Sequence, residues 1–243
     1  MSLSGKTVLI TGGGTGIGAG CATAFAEAGA KVAISGRREE KLKEVADSFS
    51  GDNSILLHAC DVANRDDVNQ LVDWATQELG QIDILVHCAG INIAKRQMNV
   101  LDPADWDKLM QVNATGAYNM MYSVLPQMRE RKDGLIISVS SIAGLRASLL
   151  GGVAYSASKF AMTVLGTCVG LEERENGIRV TNVYPGEVET PILDARPNPV
   201  SAEHRAKILQ PSDIAAMVVA VAQLPPRAHV PDLVIKPTTQ EFF

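Results

Sequence analysis

Short apolar runs and amphipathic stripes alternate along almost the whole chain. Val8, Leu9 and Ile10 form an apolar run that breaks into glycines, and Ile17, Cys21, Ala24, Phe25 and Ala28 follow at helical spacing. That pattern predicts a strand, a tight turn and a helix. Gly29 ends the helix and residues 31–35 supply a second strand, completing the βαβ crossover that two parallel strands require. Residues 39–49 are charged with apolar Leu42, Val45 and Phe49, 54–59 read as a third strand, and 66–79 are amphipathic through Val68, Leu71, Val72 and Ala75. A fourth strand is predicted over 82–87, a fifth over 134–139, a sixth over 178–183 and a last one over 233–235. Asp102 and Pro103 offer a capping residue before a first-turn proline, and Pro211 opens another helix.

Strands alternating with helices over this length imply a parallel sheet covered on both faces. The expected architecture is α/β: one doubly wound Rossmann-like domain over residues 1–243, with a mostly parallel seven-stranded sheet. Residues 185–210 hold four prolines and read as a loop with one short helix near 202–208. Residues 106–129, with Met110, Val112, Tyr118, Met120, Met121, Val124 and Leu125, are more apolar than one core-facing stripe needs, as are residues 154–171. A second copy of the chain is the expected cover, so a homo-oligomer, a tetramer or a dimer, is predicted.

Composition narrows the partners. With 243 residues, 46% of them hydrophobic, the chain can bury a full core, and a net charge of −5 argues against nucleic acid or an anionic membrane as partner. The four cysteines, Cys21, Cys60, Cys88 and Cys168, show neither a disulfide framework nor metal spacing, so no metal is expected. The longest apolar stretch, around 214–222, is too short to span a bilayer and the N-terminus lacks a signal pattern, so a cytoplasmic location is expected.

Candidate chemistry gathers at predicted strand ends. Gly12, Gly16 and Gly18 would let the backbone approach a pyrophosphate at a helix N-terminus, although such a cluster also suits a tight turn without ligand. Asp61, just past the third strand, could face a ligand or simply cap the next helix. Tyr155 and Lys159 lie four apart on one helical face, and Ser141 precedes them at a strand end. A tyrosine ionises near pH 10, so proton transfer near neutrality asks for a shift of roughly three units, about 4 kcal/mol. A nearby ammonium pushes in that direction. Ser141 could donate to a substrate oxygen and Tyr155 could transfer the proton, but an isolated Tyr/Lys pair at this spacing is far more often a surface pair.

Taken in order, Thr11-Gly12-x-x-x-Gly16-x-Gly18, Asn113, Ser141, Tyr155-x-x-x-Lys159 and Pro185-Gly186 resemble the short-chain dehydrogenases/reductases over nearly the whole chain. The resemblance implies a nicotinamide cofactor, hydride transfer between it and a small or medium alcohol/carbonyl substrate, and a catalytic tetrad of Asn113, Ser141, Tyr155 and Lys159. Asn113 would hold a proton-relaying water, and Lys159 would grip the cofactor ribose. Ser141 is chosen over Ser140 because the family pattern places the active serine before the Ile-Ala-Gly segment. The cofactor would be bound by Gly12, Thr15, Gly16, Ile17 and Gly18, by Asp61 and Val62 at the adenine, by Ala89 and Gly90, by Tyr155 and Lys159, and by Pro185, Gly186, Val188 and Thr190. Residues 187–210 would form the substrate lid.

Two departures stand out: Cys88 replaces the usual Asn of Asn-Ala-Gly, and near the last strand, where many members carry Gly-Gly, this chain has Val230 to Gln240 with Pro237-Thr-Thr-Gln240. No acid ends the second strand, where an NAD enzyme places one for the ribose hydroxyls. Arg37 and Arg38 stand there as planar donors suited to phosphate, so NADP(H) is expected in preference to NAD(H). Rival functions on the same scaffold are a dinucleotide-sensing regulator, against which the Ser141, Tyr155 and Lys159 set counts, and an isomerase or dehydratase.

Overall fold

β1 (Thr7–Thr11) is buried along its length, and its side chains part to two sides: Val8 and Ile10 enter one core cluster and Leu9 the other. The same parting recurs on β4 (Ile84–His87), with Ile84 and Val86 opposite Leu85, and on β5 (Gly134–Val139), with Leu135 and Ile137 opposite Ile136. Period-two side chains on a strand covered from both faces give these near-continuous apolar runs. With β2 (Lys31–Gly36), β3 (Leu56–Ala59), β6 (Ile178–Pro185) and β7 (Asp232–Ile235) they form a seven-stranded sheet. Its order is β3-β2-β1-β4-β5-β6-β7, and every pairing is parallel. These coordinates are a computed structural model that describes residues 2–51 and 53–241.

The helices are α1 (Gly16–Glu27), α2 (Glu39–Ser48), α3 (Arg65–Leu79), α4 (Pro103–Leu109), α5 (Gly116–Arg131), α6 (Val153–Glu173), α7 (Ala202–Arg205) and α8 (Pro211–Ala222). Phe25 of α1, Leu42 of α2 and Ile214 and Val218 of α8 fill the first cluster, whereas Leu71 of α3 and Met120, Met121 and Val124 of α5 fill the second. Truncating one such buried side chain, Ile10→Ala for example, costs about 2–5 kcal/mol.

The structure corrects several boundaries. β4 begins at Ile84, later than expected, and the Ile82 amide donates to the side chain of Gln127, at Oε1 (2.9 Å), instead of to a neighbouring strand. The helix expected over 106–129 is interrupted by a π-helical turn at Met110–Thr115. Its apolar surplus is mostly internal: Val112, Met120, Met121, Val124 and Leu125 are all buried. The exposed apolar face is carried by Tyr118 and Tyr122 on α5 and by Phe160, Val164 and Leu171 on α6. No helix among the described residues is long and apolar enough to cross a membrane.

Candidate active site

Strand order reverses between β1 and β4, and at such a switch point an α/β sheet opens a crevice past its strand ends. A cleft of about 500 Å³ lies there. It is lined by Gly12, Thr15, Gly16, Ile17, Gly18, Arg37, Arg38, Asp61 and Val62, and by Ala89, Gly90, Ser141, Tyr155, Lys159, Pro185, Gly186, Val188 and Thr190. Asn113 sits behind this wall, fully buried. Nearly every residue singled out in the sequence therefore meets at one surface.

The glycine turn fits a closely approaching ligand. Gly16 has φ +54°, and a Cβ there would stand 2.8 Å from Thr190 Cγ2. A Cβ on Gly18 would stand 2.2 Å from Gly12 O, so the first turn of α1 packs directly on the loop. Thr15 is the N-cap of α1 without a side-chain cap bond, which leaves first-turn N–H groups for an anion. At the other end of the cleft wall Arg37 and Arg38 are exposed, and Lys41, which the motif reading missed, joins them. Asp61 lines the cleft and accepts from the Ala63 amide (3.0 Å), while Asn64 caps α3 by accepting from Asp66 N (2.9 Å). The helix-cap alternative for Asp61 is thus overturned.

Around Tyr155 the elements converge. The π turn opens the helical ladder at Asn113, a device common where a side chain must be re-aimed. Asn113 Oδ1 accepts from Ile91 N (2.8 Å), and its Nδ2 donates to Ile91 O (3.0 Å) and Ser158 Oγ (2.9 Å). Ser158 Oγ in turn donates to Tyr155 O (2.8 Å), so Ser158, also missed from sequence, ties the segment after β4 to the turn of α6 that carries Tyr155. Ser141 caps the short helix Ile142–Gly144 by accepting from Ala143 N (3.1 Å), and it lines the cleft beside Tyr155, whose phenol it acts on. Ser140 faces away, its hydroxyl donating to Lys159 O (3.2 Å).

Lys159 is buried, donates from Nζ to Val139 O (3.0 Å) and lies 5.9 Å from the Tyr155 ring centre. Burial pushes its pKa down to about 8. The Tyr155 phenol is raised above its ordinary value by loss of water, against the lowering effects of the Ser141 bond and of the Arg96 charge. Arg96 thus joins Lys159, whose Nζ stands over the Tyr155 ring, as a cation beside the phenol. Arg96 carries no motif signal: it is one basic residue in the long connection after β4.

Residues 187–210, the expected lid, are tied together at their ends by a parallel bridge between Val188 and Leu209, with Glu189 N donating to Leu209 O (2.8 Å) and Leu209 N to Glu187 O (3.2 Å). Its charges pair among themselves: Arg196 with Glu187 (3.3 Å), His204 with Glu187 (2.6 Å), and Arg205 with Glu189 and Asp194. The short helix expected over 202–208 is the single turn of α7, and a 3₁₀ segment, Pro191–Ala195, was not foreseen. The tail reaches the same site, where Gln240 Oε1 accepts from Glu187 N (2.9 Å).

This sheet order with a glycine-lined cleft at its reversal defines a doubly wound Rossmann-type protein. The short chain dehydrogenase family profile matches residues 6–200, and the chain belongs to that family. It is 33% identical over 235 residues to an uncharacterized oxidoreductase of Staphylococcus aureus (strain USA300), covering 97% of this chain and 98% of that one. A serine dehydrogenase solved in its closed form with NADP+ superposes with a TM-score of 0.88 at 29% identity, covering 97% of this chain and 96% of that one. A 3-ketoacyl-(acyl-carrier-protein) reductase from Brucella melitensis, solved with NADH, gives 0.86 at 31%, covering 97% and 98%. The protein is an oxidoreductase of this family.

Proposed function

We propose that this oxidoreductase moves a hydride between NADP(H) and a small or medium alcohol/carbonyl pair, with Tyr155 as general acid/base. The observation that carries the reading is the meeting of Ser141, Tyr155 and Lys159 in the glycine-lined cleft. The cofactor fits what is present: a cleft floored by Gly12, Gly16 and Gly18 at the N-terminus of α1, and three cationic residues, Arg37, Arg38 and Lys41, on its wall. When bound, the nicotinamide would supply or accept the hydride. Tyr155 would handle the accompanying proton: as phenolate it would take the hydroxyl proton of an alcohol and become the phenol, and as phenol it would give its proton to a carbonyl oxygen and become the phenolate.

Ser141 holds the substrate oxygen next to the Tyr155 phenol. Lys159 grips the ribose, and Asn113 keeps α6 in register with the segment after β4. Gly12, Thr15, Ile17, Val62, Ala89, Gly90, Pro185, Gly186, Val188 and Thr190 shape the remaining cofactor surface, and residues 187–210 form the substrate lid of a single domain. A panel of alcohols and carbonyls assayed with both nicotinamide cofactors tests the proposal. Turnover with NADP(H) is expected, and no turnover of any pair with either cofactor would refute it.

A further inference from the structure

We propose that Arg96 is a substrate-binding residue that selects a carboxylate-bearing substrate, a short hydroxy acid or the matching oxo acid, and holds its carboxylate beside Tyr155. The inference rests on the oxidoreductase reading and narrows its substrate class.

Arg96 lines the cleft and is only 5% exposed. Nε donates to Ile93 O (2.7 Å), Nη1 to Leu150 O (2.7 Å) and Nη2 to Ala195 O. A guanidinium has five N–H groups, so two remain. The three carbonyls meet hydrogen-bond demand but are neutral, and among the described residues no carboxylate oxygen lies within 4.0 Å of Arg96. A buried charge without a counter-charge is costly. Burial, followed by the like charge of Arg196, accordingly pushes the Arg96 pKa down.

The neighbouring groups leave this charge unmatched. Arg196 is occupied by Glu187, and the lid acids Glu189 and Asp194 by Arg205. The Arg96 stem is fixed by Gly152, where φ is +82° and a Cβ would stand 2.5 Å from Arg96 Cβ. A preset planar fork with spare donors and an uncompensated charge is the arrangement that suits a carboxylate. Because its carbonyl partners come from three segments, at 93, 150 and 195, the same side chain could be merely a staple. The test must separate the two roles.

The experiment compares kcat/KM for 2- and 3-hydroxy acids with that for their methyl esters, using NADP+, in the wild type, Arg96→Lys and Arg96→Gln. One charge-assisted bond predicts about a tenfold to hundredfold preference for acid over ester in the wild type. In Arg96→Gln that ratio falls close to one, through a rise in the acid KM, and Arg96→Lys retains part of it. Equal use of acid and ester by the wild type overturns the inference, as does an Arg96→Gln ratio unchanged while both rates drop, the mark of a staple. If nothing turns over, the oxidoreductase reading fails by itself. Calorimetric titration of the same acids into the NADP+-loaded wild type and Arg96→Gln then decides: binding weakened about tenfold or more by the variant supports the site, and absent or equal binding overturns it.

Discussion

Asn113 Nδ2 donates to Ser158 Oγ (2.9 Å) in a fully buried contact, and Ser158 passes the link on to the backbone of Tyr155. Leaving a buried amide donor without its partner costs about 1–3 kcal/mol. Ser158→Ala should therefore lower stability by that amount in urea denaturation and reduce kcat with little change in cofactor affinity. Unchanged stability and kcat would remove Ser158 from the support of the site.

At the adenosine side, the Arg37 and Arg38 side chains have no hydrogen-bond or ion-pair partner among the described residues, while Lys41 pairs with Glu44 (2.7 Å). Free planar donors favour a 2′-phosphate by about 1.5–3 kcal/mol, a tenfold to hundredfold preference in kcat/KM for NADPH over NADH. Arg37→Ala should shrink the ratio most. A wild type that prefers NADH would reject the assignment, and the cofactors named for the structural neighbours, NADP+ in one and NADH in another, make this measurement informative.

His87 is wholly buried next to β1, with Nδ1 paired to Thr11 Oγ1 (2.9 Å), and burial followed by the Lys159 charge pushes its pKa down to about 3. The unfolded chain binds this proton near pH 6.5 and the folded chain does not, so stability falls as pH drops from about 6.5 toward 3. The slope attributable to one such group is about 1.4 kcal/mol per pH unit. His87→Asn should flatten the wild-type difference between denaturation at pH 7 and pH 5.5. An identical pH dependence in the variant would show that His87 does not titrate in that range.

Tyr122 on α5 is 66% exposed, and Val164 and Leu171 on α6 are 57% and 63% exposed. Adjacent apolar faces of this kind are expected to meet a second copy, giving a dimer or tetramer. Light scattering at micromolar concentration should show the oligomer, and Tyr122→Glu with Val164→Glu should yield a monomer. A monomeric wild type would contradict the proposal.

The sheet was readable from sequence because its central strands, buried on both faces, carry plain apolar runs such as Val8 to Ile10. The π turn at Met110–Thr115 was not, since inserting it leaves the local apolar composition unchanged and shifts only the phase of the helix. Ser141, Tyr155 and Lys159 were legible because their chemistry is local in the chain. Arg96, Ser158 and Gln240 were not, because each acts through partners brought near by the fold: Arg96 through Leu150 and Ala195, Ser158 through Asn113, Gln240 through Glu187. Asn113 was reached only through the family resemblance.

The most direct test of the account is the change Tyr155→Phe, which removes one hydroxyl and keeps the ring in place. NADPH binding, followed by fluorescence titration, should stay within about threefold of wild type, while kcat on any carbonyl that the wild type reduces should fall about 10²- to 10⁴-fold, the usual contribution of positioned proton transfer. A Tyr155→Phe enzyme with near wild-type kcat would contradict the account.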